Sequence, residues 1–451
     1  DTLGILDETL IYFVIGDNGA SAEGSLQGTF NEGASVNAPG LETVDYLLGR
    51  IPEWGGPASS PHYAVGWAHA MDTPYQWTKQ VASHWGGTRN GTIVHWPNGI
   101  TAKGEVRNQF HHVIDVAPTV LEAANIPEPV QVNGVTQDPI QGVSMLYSFG
   151  DGTAPERHET QYFEMFGNRG IYHKGWSAIT KHRTPWAMGE AKTIAFDDDV
   201  WELYDGSKDW TQAHDLAKEM PDKLHELQRL FLLEARRFNV LPLDDRVWER
   251  LIPERAGRPT LVHGTSQVLV EGMGRLNENT LISVMSKSHA VTAEVVVPDD
   301  GASGVIINQG GSGGGWALYV KDGTLTYAYN YGSITTYKVT SDTIIPAGVN
   351  QVRMEFAYDG GGIGKGGNVA LFVGGVPAGS GRVERTHFFS FSLDETTDVG
   401  RDTGAPVSDD YAAGDNAFNG KVNWVQIDVG SDSHDHLIDP ADLFHVAMMR
   451  Q

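Results

Sequence analysis

The chain has 451 residues, with 57 acidic against 32 basic side chains and a net charge of −25 with histidine neutral. That balance argues against a phosphate-backbone partner such as nucleic acid. The absence of cysteine excludes disulfides, thiolate metal sites and a cysteine nucleophile in this chain. No apolar run approaches the ~18 residues of a membrane-spanning helix, and the length allows two or three domains with cores of their own.

Residues 1–10 place Leu3, Ile5, Leu6 and Leu10 on a helical stripe. The chain is therefore expected to open inside a helix, as the rear part of something larger would. Ile-Tyr-Phe-Val-Ile at 11–15 reads as a short buried strand, stopped by Gly16-Asp17-Asn18-Gly19. In open α/β sheets ligands gather at the carboxyl ends of strands. A carboxylate beside an amide oxygen suits a hard cation such as Ca²⁺ or Mg²⁺. Asp, Asn and Gly also dominate ordinary turns, and the motif alone favours a turn over a metal site.

A Gly/Ala/Ser-rich loop follows to residue 40, with weak helix signal at 41–48 and irregular structure at 51–61. Residues 67–90 form a dense polar-aromatic stretch leading to a strand at 92–96, which Pro97 ends. Long loops crowded with Trp, His, Lys and Arg are where sites are usually built. Lys79 is a candidate fixed cation for an oxyanion, although a solvated lysine is the commoner fate. His84, His111 and His112 read as hydrogen-bonded structural histidines. Residues 115–125 carry helix signals, with Pro118 in the first turn, Val120, Leu121 and Ala124 on one face, and Asn125 with Pro127 at the end.

Residues 161–166 and 171–179 read as paired strands around a turn at 167–170, and 201–204 as a further strand. Pro221 opens a helix running to about Phe238, with Leu224, Leu227, Leu230 and Phe231 facing inward. A Pro- and charge-rich stretch then marks a domain end near residue 250. From Thr260 short alternating strands and Gly turns argue for an antiparallel β-sandwich. The clearest hairpin is 316–320 with 324–329 around Lys321-Asp322-Gly323. The Gly-rich run at 360–367 is no P-loop: it has Gly366 where Ser or Thr should hold Mg²⁺ and precedes a strand. Residues 439–449 are expected to form a short closing helix.

Taken together these motifs resemble the C-terminal portion of a bacterial arylsulfatase, of the sulfatase family in the alkaline-phosphatase-like superfamily. Phe13-Val-Ile-Gly-Asp-Asn-Gly19 resembles the family's second metal motif. Tyr75-Gln-Trp-Thr-Lys79 through Gly86-Gly-Thr-Arg-Asn90 resembles its substrate-lysine segment, and residues 113–121 the helix after it. Residues 161–173 and Glu202-Leu-Tyr-Asp205 resemble later landmarks. The stretch 358–367 and Phe418-Asn-Gly-Lys-Val422 resemble the appended C-terminal domain of that subgroup, so the resemblance covers nearly the whole chain.

The resemblance implies an α/β fold over residues 1–250, the C-terminal part of an alkaline-phosphatase-like core with a small α+β region. A β-sandwich over 258–435 and a tail at 436–451 would follow. It implies that Asp17 and Asn18 are Ca²⁺ ligands, Mg²⁺ being the less expected ion. Lys79 would bind the sulfate and stabilise charge on the leaving oxygen, in the hydrolysis of sulfate monoesters. Arg89 is expected to make a structural salt bridge. The family nucleophile is a formylglycine made from Cys or Ser in a C/S-x-P-x-R motif, and neither Ser59-Ser60-Pro61 nor any other serine here fits it. The nucleophile and the remaining metal ligands would come from a missing N-terminal half, in the same or a separate chain, so this portion is expected to be inactive alone. Two rivals remain: a phosphodiester or phosphonate hydrolase of the same superfamily, and a carbohydrate-binding module without activity.

Overall fold

A computed structural model of the chain describes residues 2–33, 42–56, 59–184, 186, 194–246, 261–360, 364–388, 390–392 and 395–430. The contacts divide it into two units, residues 1–27 with 63–251, and residues 28–62 with 252–451. The tail at 436–451, its expected helix, and part of the Gly-rich run at 360–367 lie outside the described residues.

In the first unit, strand β1 (Ile11–Ile15) pairs antiparallel with β2 (Gly91–His95). Helix α1 (Val65–Asp72) and helix α2 (Val116–Ala123) lie on either side of β2 in the sequence. Strands β3 (Thr160–Met165), β4 (Asn168–His173), β5 (Trp176–Thr180) and β6 (Trp201–Asp205) form an antiparallel meander, followed by helix α3 (Pro221–Arg237). Pro221 sits in the first turn of α3, where its missing N–H costs no helix bond. Leu227, Phe231 and Ala235, spaced four apart, are fully buried and meet Ile171, Ala178 and Leu203. These three sheet residues are cross-strand neighbours, so one face of the meander is the floor on which α3 packs. The other face carries Asn168, Ile179 and Glu202, by the two-residue alternation of strands.

The second unit contains two antiparallel sheets. The larger is made by β7 (Ser266–Leu269), β8 (His289–Val297), β13 (Gly348–Tyr358), β14 (Lys365–Val373), β15 (Val376–Arg385) and β17 (Lys421–Val429). Its order is β15-β14-β13-β8-β17-β7. The smaller is made by β9 (Gly304–Gly311), β10 (Gly314–Lys321), β11 (Thr324–Tyr331), β12 (Thr335–Ile344) and β16 (Thr397–Val399), in the order β12-β11-β10-β9-β16. One core cluster joins them, with Val291, Val352 and Leu371 from the first sheet and Trp316, Leu318 and Tyr327 from the second. The β10–β11 turn has Asp322 and Gly323 both at positive φ, 52° and 79°, as a two-residue hairpin requires.

Residues 28–62 group with this sandwich although they lie between Asp17 and Lys79 in the sequence. The Asn31 amide donates to Gly332 O at 2.6 Å. Phe30, 1% exposed, packs against Tyr46, Trp54 and the Arg50 guanidinium. Nothing in the Gly-rich composition of this segment announces that partner.

Several expectations need correction. Residues 2–10 hold only a 3₁₀ turn, Leu6–Glu8, and Leu3 and Ile5 are exposed. Apolar spacing alone cannot support a helix when no layer covers the stripe. The strand expected to be buried forms, but Ile11, Phe13, Val14 and Ile15 are all exposed, because among the described residues β2 is its sole strand partner. In α2 it is Thr119 that is buried, its hydroxyl held by Asp115 O, while Val120 faces outward. The region 161–179 contains three strands rather than two. The turns fall at Phe166-Gly167 and Lys174-Gly175, all four residues at positive φ, and residues 168–170 belong to β4. A phenylalanine in the left-handed region is uncommon, and the Gly pair at 167 and 170 drew the turn to the wrong side.

Candidate functional site

Asp17 and Asn18 follow the carboxyl end of β1, on a turn fixed by backbone contacts rather than by their own side chains. Gly19 N donates to Gly87 O at 3.1 Å, and Lys79 N donates to Ala20 O at 3.1 Å. The Asn90 amide donates to Asn18 O at 2.7 Å and to Ile15 O at 3.2 Å. The Asp72 carboxylate receives Ala20 N at 2.9 Å. Burial raises the pKa of Asp72, partly offset by that bond. The approach is close because it is glycine against glycine: a Cβ on Gly19 would stand 1.7 Å from Gly86 O. Two segments more than sixty residues apart in the sequence are thus joined at one seam, and Asp17, Asn18 and Lys79 belong to it.

Asp17 is exposed and Asn18 half-buried, and among the described residues neither side chain has a hydrogen-bond partner. Two free hard oxygen donors on a rigid turn fit Ca²⁺, which takes six to eight oxygens at about 2.3–2.6 Å. They supply part of such a shell, and among the described residues no group of three or more His, Asp or Glu completes it. Lys79 is not a solvated surface lysine. Its ammonium meets the Glu23 carboxylate at 3.1 Å with the side chain 31% exposed. Burial pushes the Glu23 pKa up, but hydrogen bonds from Ser21, Lys79 and Gln80 outweigh it and hold it below its ordinary value. Glu23 is therefore an ionised strut that takes one of three ammonium donors and leaves the others for a ligand.

The loop bearing Lys79 is pinned to the face of the meander opposite α3. Asn168 on β4, 1% exposed, donates to Gln80 O at 3.0 Å and accepts His182 N and Arg183 N, both at 2.9 Å. Glu202 on β6 meets His84 Nε2 at 3.2 Å and Tyr204 OH at 2.6 Å. Burial pushes its pKa up, yet these partners hold it below the usual carboxylate value. Gln212, fully buried, accepts Trp85 N at 3.0 Å and receives the Gln76 amide on its carbonyl at 2.8 Å. Asn168 and Glu202 lie within the motifs quoted from the sequence, and the structure shows what they hold. Gln212 carried no sequence signal, being one glutamine among polar neighbours, and Glu23 lay in a stretch read only as a loop.

His84 is buried between Ser83 and Glu202, and His112 caps the turn before α2. Arg89 departs from expectation. Its guanidinium stacks over Trp85 at 4.6 Å and Tyr75 at 5.3 Å, with no ion pair among the described residues. Two flat aromatic faces are the better match for a planar, weakly hydrated cation.

An Asn168→Ala replacement is expected to lower the unfolding free energy by about 3 kcal/mol, since each buried backbone group left without a partner costs about 1–3 kcal/mol. It should also admit protease at residues 75–84. Urea denaturation and limited proteolysis check this, and an unaltered cleavage pattern would remove Asn168 as the loop's anchor.

The family profile described as Sulfatase matches residues 1–126, and that described as N-sulphoglucosamine sulphohydrolase, C-terminal, matches residues 83–232. An uncharacterized sulfatase of Schizosaccharomyces pombe is 31% identical over 258 residues, 55% of this chain and 42% of that protein. This chain thus spans less than half the length of that relative. A solved structure described under metabolism of multiple glycosaminoglycans by Bacteroides thetaiotaomicron is 20% identical, with a TM-score of 0.31 over 52% of this chain and 40% of its own. The CBM40 of a Ruminococcus gnavus IT-sialidase, bound to α2,3-sialyllactose, is 12% identical, with a TM-score of 0.27 over 42% of this chain and 98% of its own.

Proposed function

We propose, for a chain that belongs to the sulfatase family through residues 1–232, that the whole protein hydrolyses sulfate monoesters of the aryl-sulfatase type, this chain contributing one side of the active site. The observation that carries the reading is the glycine seam. It holds two unpartnered oxygen donors, Asp17 and Asn18, and the Lys79 ammonium on adjoining backbone.

The residues of this chain act by binding and charge stabilisation. Asp17 and Asn18 would hold Ca²⁺, which supplies Lewis-acid stabilisation of the sulfate oxygens. Lys79, oriented by Glu23, donates to the sulfate and to the ester oxygen on which charge develops as the S–O bond breaks. His84, Asn168 and Gln212 fix the loop so that this donor need not reorganise during the reaction.

The nucleophile, a formylglycine, and the remaining metal ligands belong to a segment outside this chain. The support is β1. It is apolar on both faces, as strands covered on both sides are, yet Phe13 and Ile15 are 61% and 55% exposed. We assign the exposed faces of β1 to the strands and helices of that segment, which would complete an alkaline-phosphatase-like core.

The test is turnover of nitrophenyl sulfate by the complete protein. Lys79→Ala should lower kcat/KM by about 10²–10³, the usual cost of removing one charge-stabilising donor. Full retention of turnover would end the lysine assignment. Asp17→Ala should abolish Ca²⁺ uptake measured by calorimetry, and unchanged uptake would return Asp17-Asn18-Gly19 to the status of a turn.

A further inference from the structure

Asn-Gly occurs five times in this chain, at 18–19, 90–91, 98–99, 133–134 and 419–420. An asparagine in such a pair can lose its side-chain amide: the glycine nitrogen attacks Asn Cγ and closes a five-membered succinimide. Glycine favours the attack because it has no Cβ to obstruct it and the most backbone freedom. The reaction needs an untethered side chain, a glycine N–H not held elsewhere, and a backbone able to rotate. The five pairs are chemically alike, so their surroundings decide which of them react.

Four are held. Gly19 N donates to Gly87 O in the seam. The Asn90 amide donates to Asn18 O and Ile15 O, and Gly91 pairs with Ile15 in the ladder. The Asn98 amide donates to Glu8, and Gly99 N donates to Trp96 O at 3.0 Å. Asn419 is held at both ends of its amide: Oδ1 receives Ser303 N at 2.8 Å, and Nδ2 donates to Gly301 O at 2.9 Å.

Asn133-Gly134 is the exception. It forms the two-residue turn of a hairpin with strands Gln131–Val132 and Val135–Thr136, at φ 51° and 82°. Among the described residues neither the Asn133 side chain nor the Gly134 N–H has a partner. The ladder consists of Val132 with Val135 and Gln131 with Thr136, closed below by Gln137 N to Val130 O at 2.9 Å. Residues 124–139 are all exposed, and among the described residues no third strand pairs with the hairpin. An isolated two-stranded hairpin is marginally stable in water. This turn therefore opens at little cost and samples the rotation that the attack requires.

We infer that Asn133 is a site of spontaneous covalent modification, and that the fold spares the other four pairs, Asn18 included. Gly134 N bonds to Asn133 Cγ, the Cγ–Nδ2 bond breaks, and ammonia departs with the proton from Gly134 N. Water then adds to either succinimide carbonyl and the ring C–N bond breaks, which leaves aspartate or isoaspartate with one added negative charge. Neither step oxidises or reduces anything. In isoaspartate the main chain runs through the former side chain and gains one methylene. A turn lengthened in this way no longer sets the Val132–Val135 register, because hairpin register follows from loop length. At Asn18 the bond from Gly19 N to Gly87 O prevents the same loss, so the glycine seam also preserves an amide oxygen.

The experiment is to age the complete protein in mildly alkaline buffer and follow each Asn-Gly pair by peptide mass spectrometry after acidic digestion. Asn133 should gain the mass of deamidation about tenfold faster than any of the other four, through its easier local opening. In urea, with the fold removed, all five should react at similar rates. Protease should cut the aged protein within residues 130–137. Asn133→Asp, which carries the new charge on an unlengthened main chain, should resist cleavage there. A rate at Asn133 matched by another pair in the folded protein, or the same ranking in urea, overturns the inference. Equal resistance of the aged protein and Asn133→Asp overturns the opening of the turn.

Discussion

Replacing Asp115 by alanine should destabilise the first unit by about 3–5 kcal/mol, the usual cost of breaking a buried, hydrogen-bonded ion pair from one side. Asp115 is fully buried at the entry to α2. Its carboxylate receives His158 Nδ1 at 2.8 Å, His112 N at 2.8 Å and Val143 N at 2.7 Å. Alanine would strand two backbone donors and an imidazole in a site nothing else can satisfy. Burial pushes the Asp115 pKa up, but these bonds outweigh it and hold it below the ordinary value. For His158, burial pulls the pKa down, while the Asp115 carboxylate and Gln161 raise it overall.

The two directions set a pH window. The Asp115 contribution is present above the unfolded carboxyl pKa of about 3.9 and is lost as pH falls through the lowered folded value. The His158 contribution is complete below the unfolded imidazole pKa of about 6.5 and is lost as pH rises through the raised folded value. Urea denaturation across pH should therefore show a stability maximum between these limits that Asp115→Ala flattens. His111 and His112 face the same carboxylate, and burial lowers both of their pKa values. A variant as stable as the parent, with an unaltered pH profile, would mean that the network contributes no net stability.

Much of this architecture was legible in local chemistry. Pro221 with the four-residue spacing of Leu227 and Phe231 marked α3, and Lys321-Asp322-Gly323 marked its hairpin, because both signals lie within a few residues of what they specify. The candidate site was half legible. Asp17, Asn18 and Lys79 were named through the resemblance of their motifs to those of the sulfatases, since their residue types alone favoured a turn and a solvated lysine, and the sequence could not show that Gly19 and Gly86 press their backbones together. Nor could it show that Asn168 reaches Gln80 O across 88 positions. Those are long-range contacts with no periodicity to betray them. The exposure of β1 was illegible for the opposite reason: the strand signal is intact, and among the described residues β2 is the one strand that pairs with it.

The sharpest probe of the seam is Gly19→Ala. The added methyl would sit 1.7 Å from Gly86 O, 2.7 Å from Gly86 C and 3.0 Å from Gly87 Cα, all backbone atoms with no flexible end to yield. Gly86 and Gly87 cannot retreat, since the Cβ positions behind them already stand 2.3 Å from Gln76 O, Trp77 O and Val81 O. The strain must be relieved by lifting the Asp17–Ala20 turn, which breaks the Gly19 N to Gly87 O and Lys79 N to Ala20 O bonds. The expected cost in stability is about 1–3 kcal/mol, as for other overpacked sites. The effect on function should be larger, because displacing positioned groups by about 1 Å costs roughly 10²-fold in rate. In the complete protein Gly19→Ala should weaken Ca²⁺ uptake nearly as much as Asp17→Ala, although no ligand has been touched. In the complete protein it should lower nitrophenyl sulfate turnover by about 10²-fold. Loss of stability with Ca²⁺ affinity intact would show that the turn carries its oxygen donors independently of the glycine seam, and the joint site of Asp17, Asn18 and Lys79 would have to be abandoned.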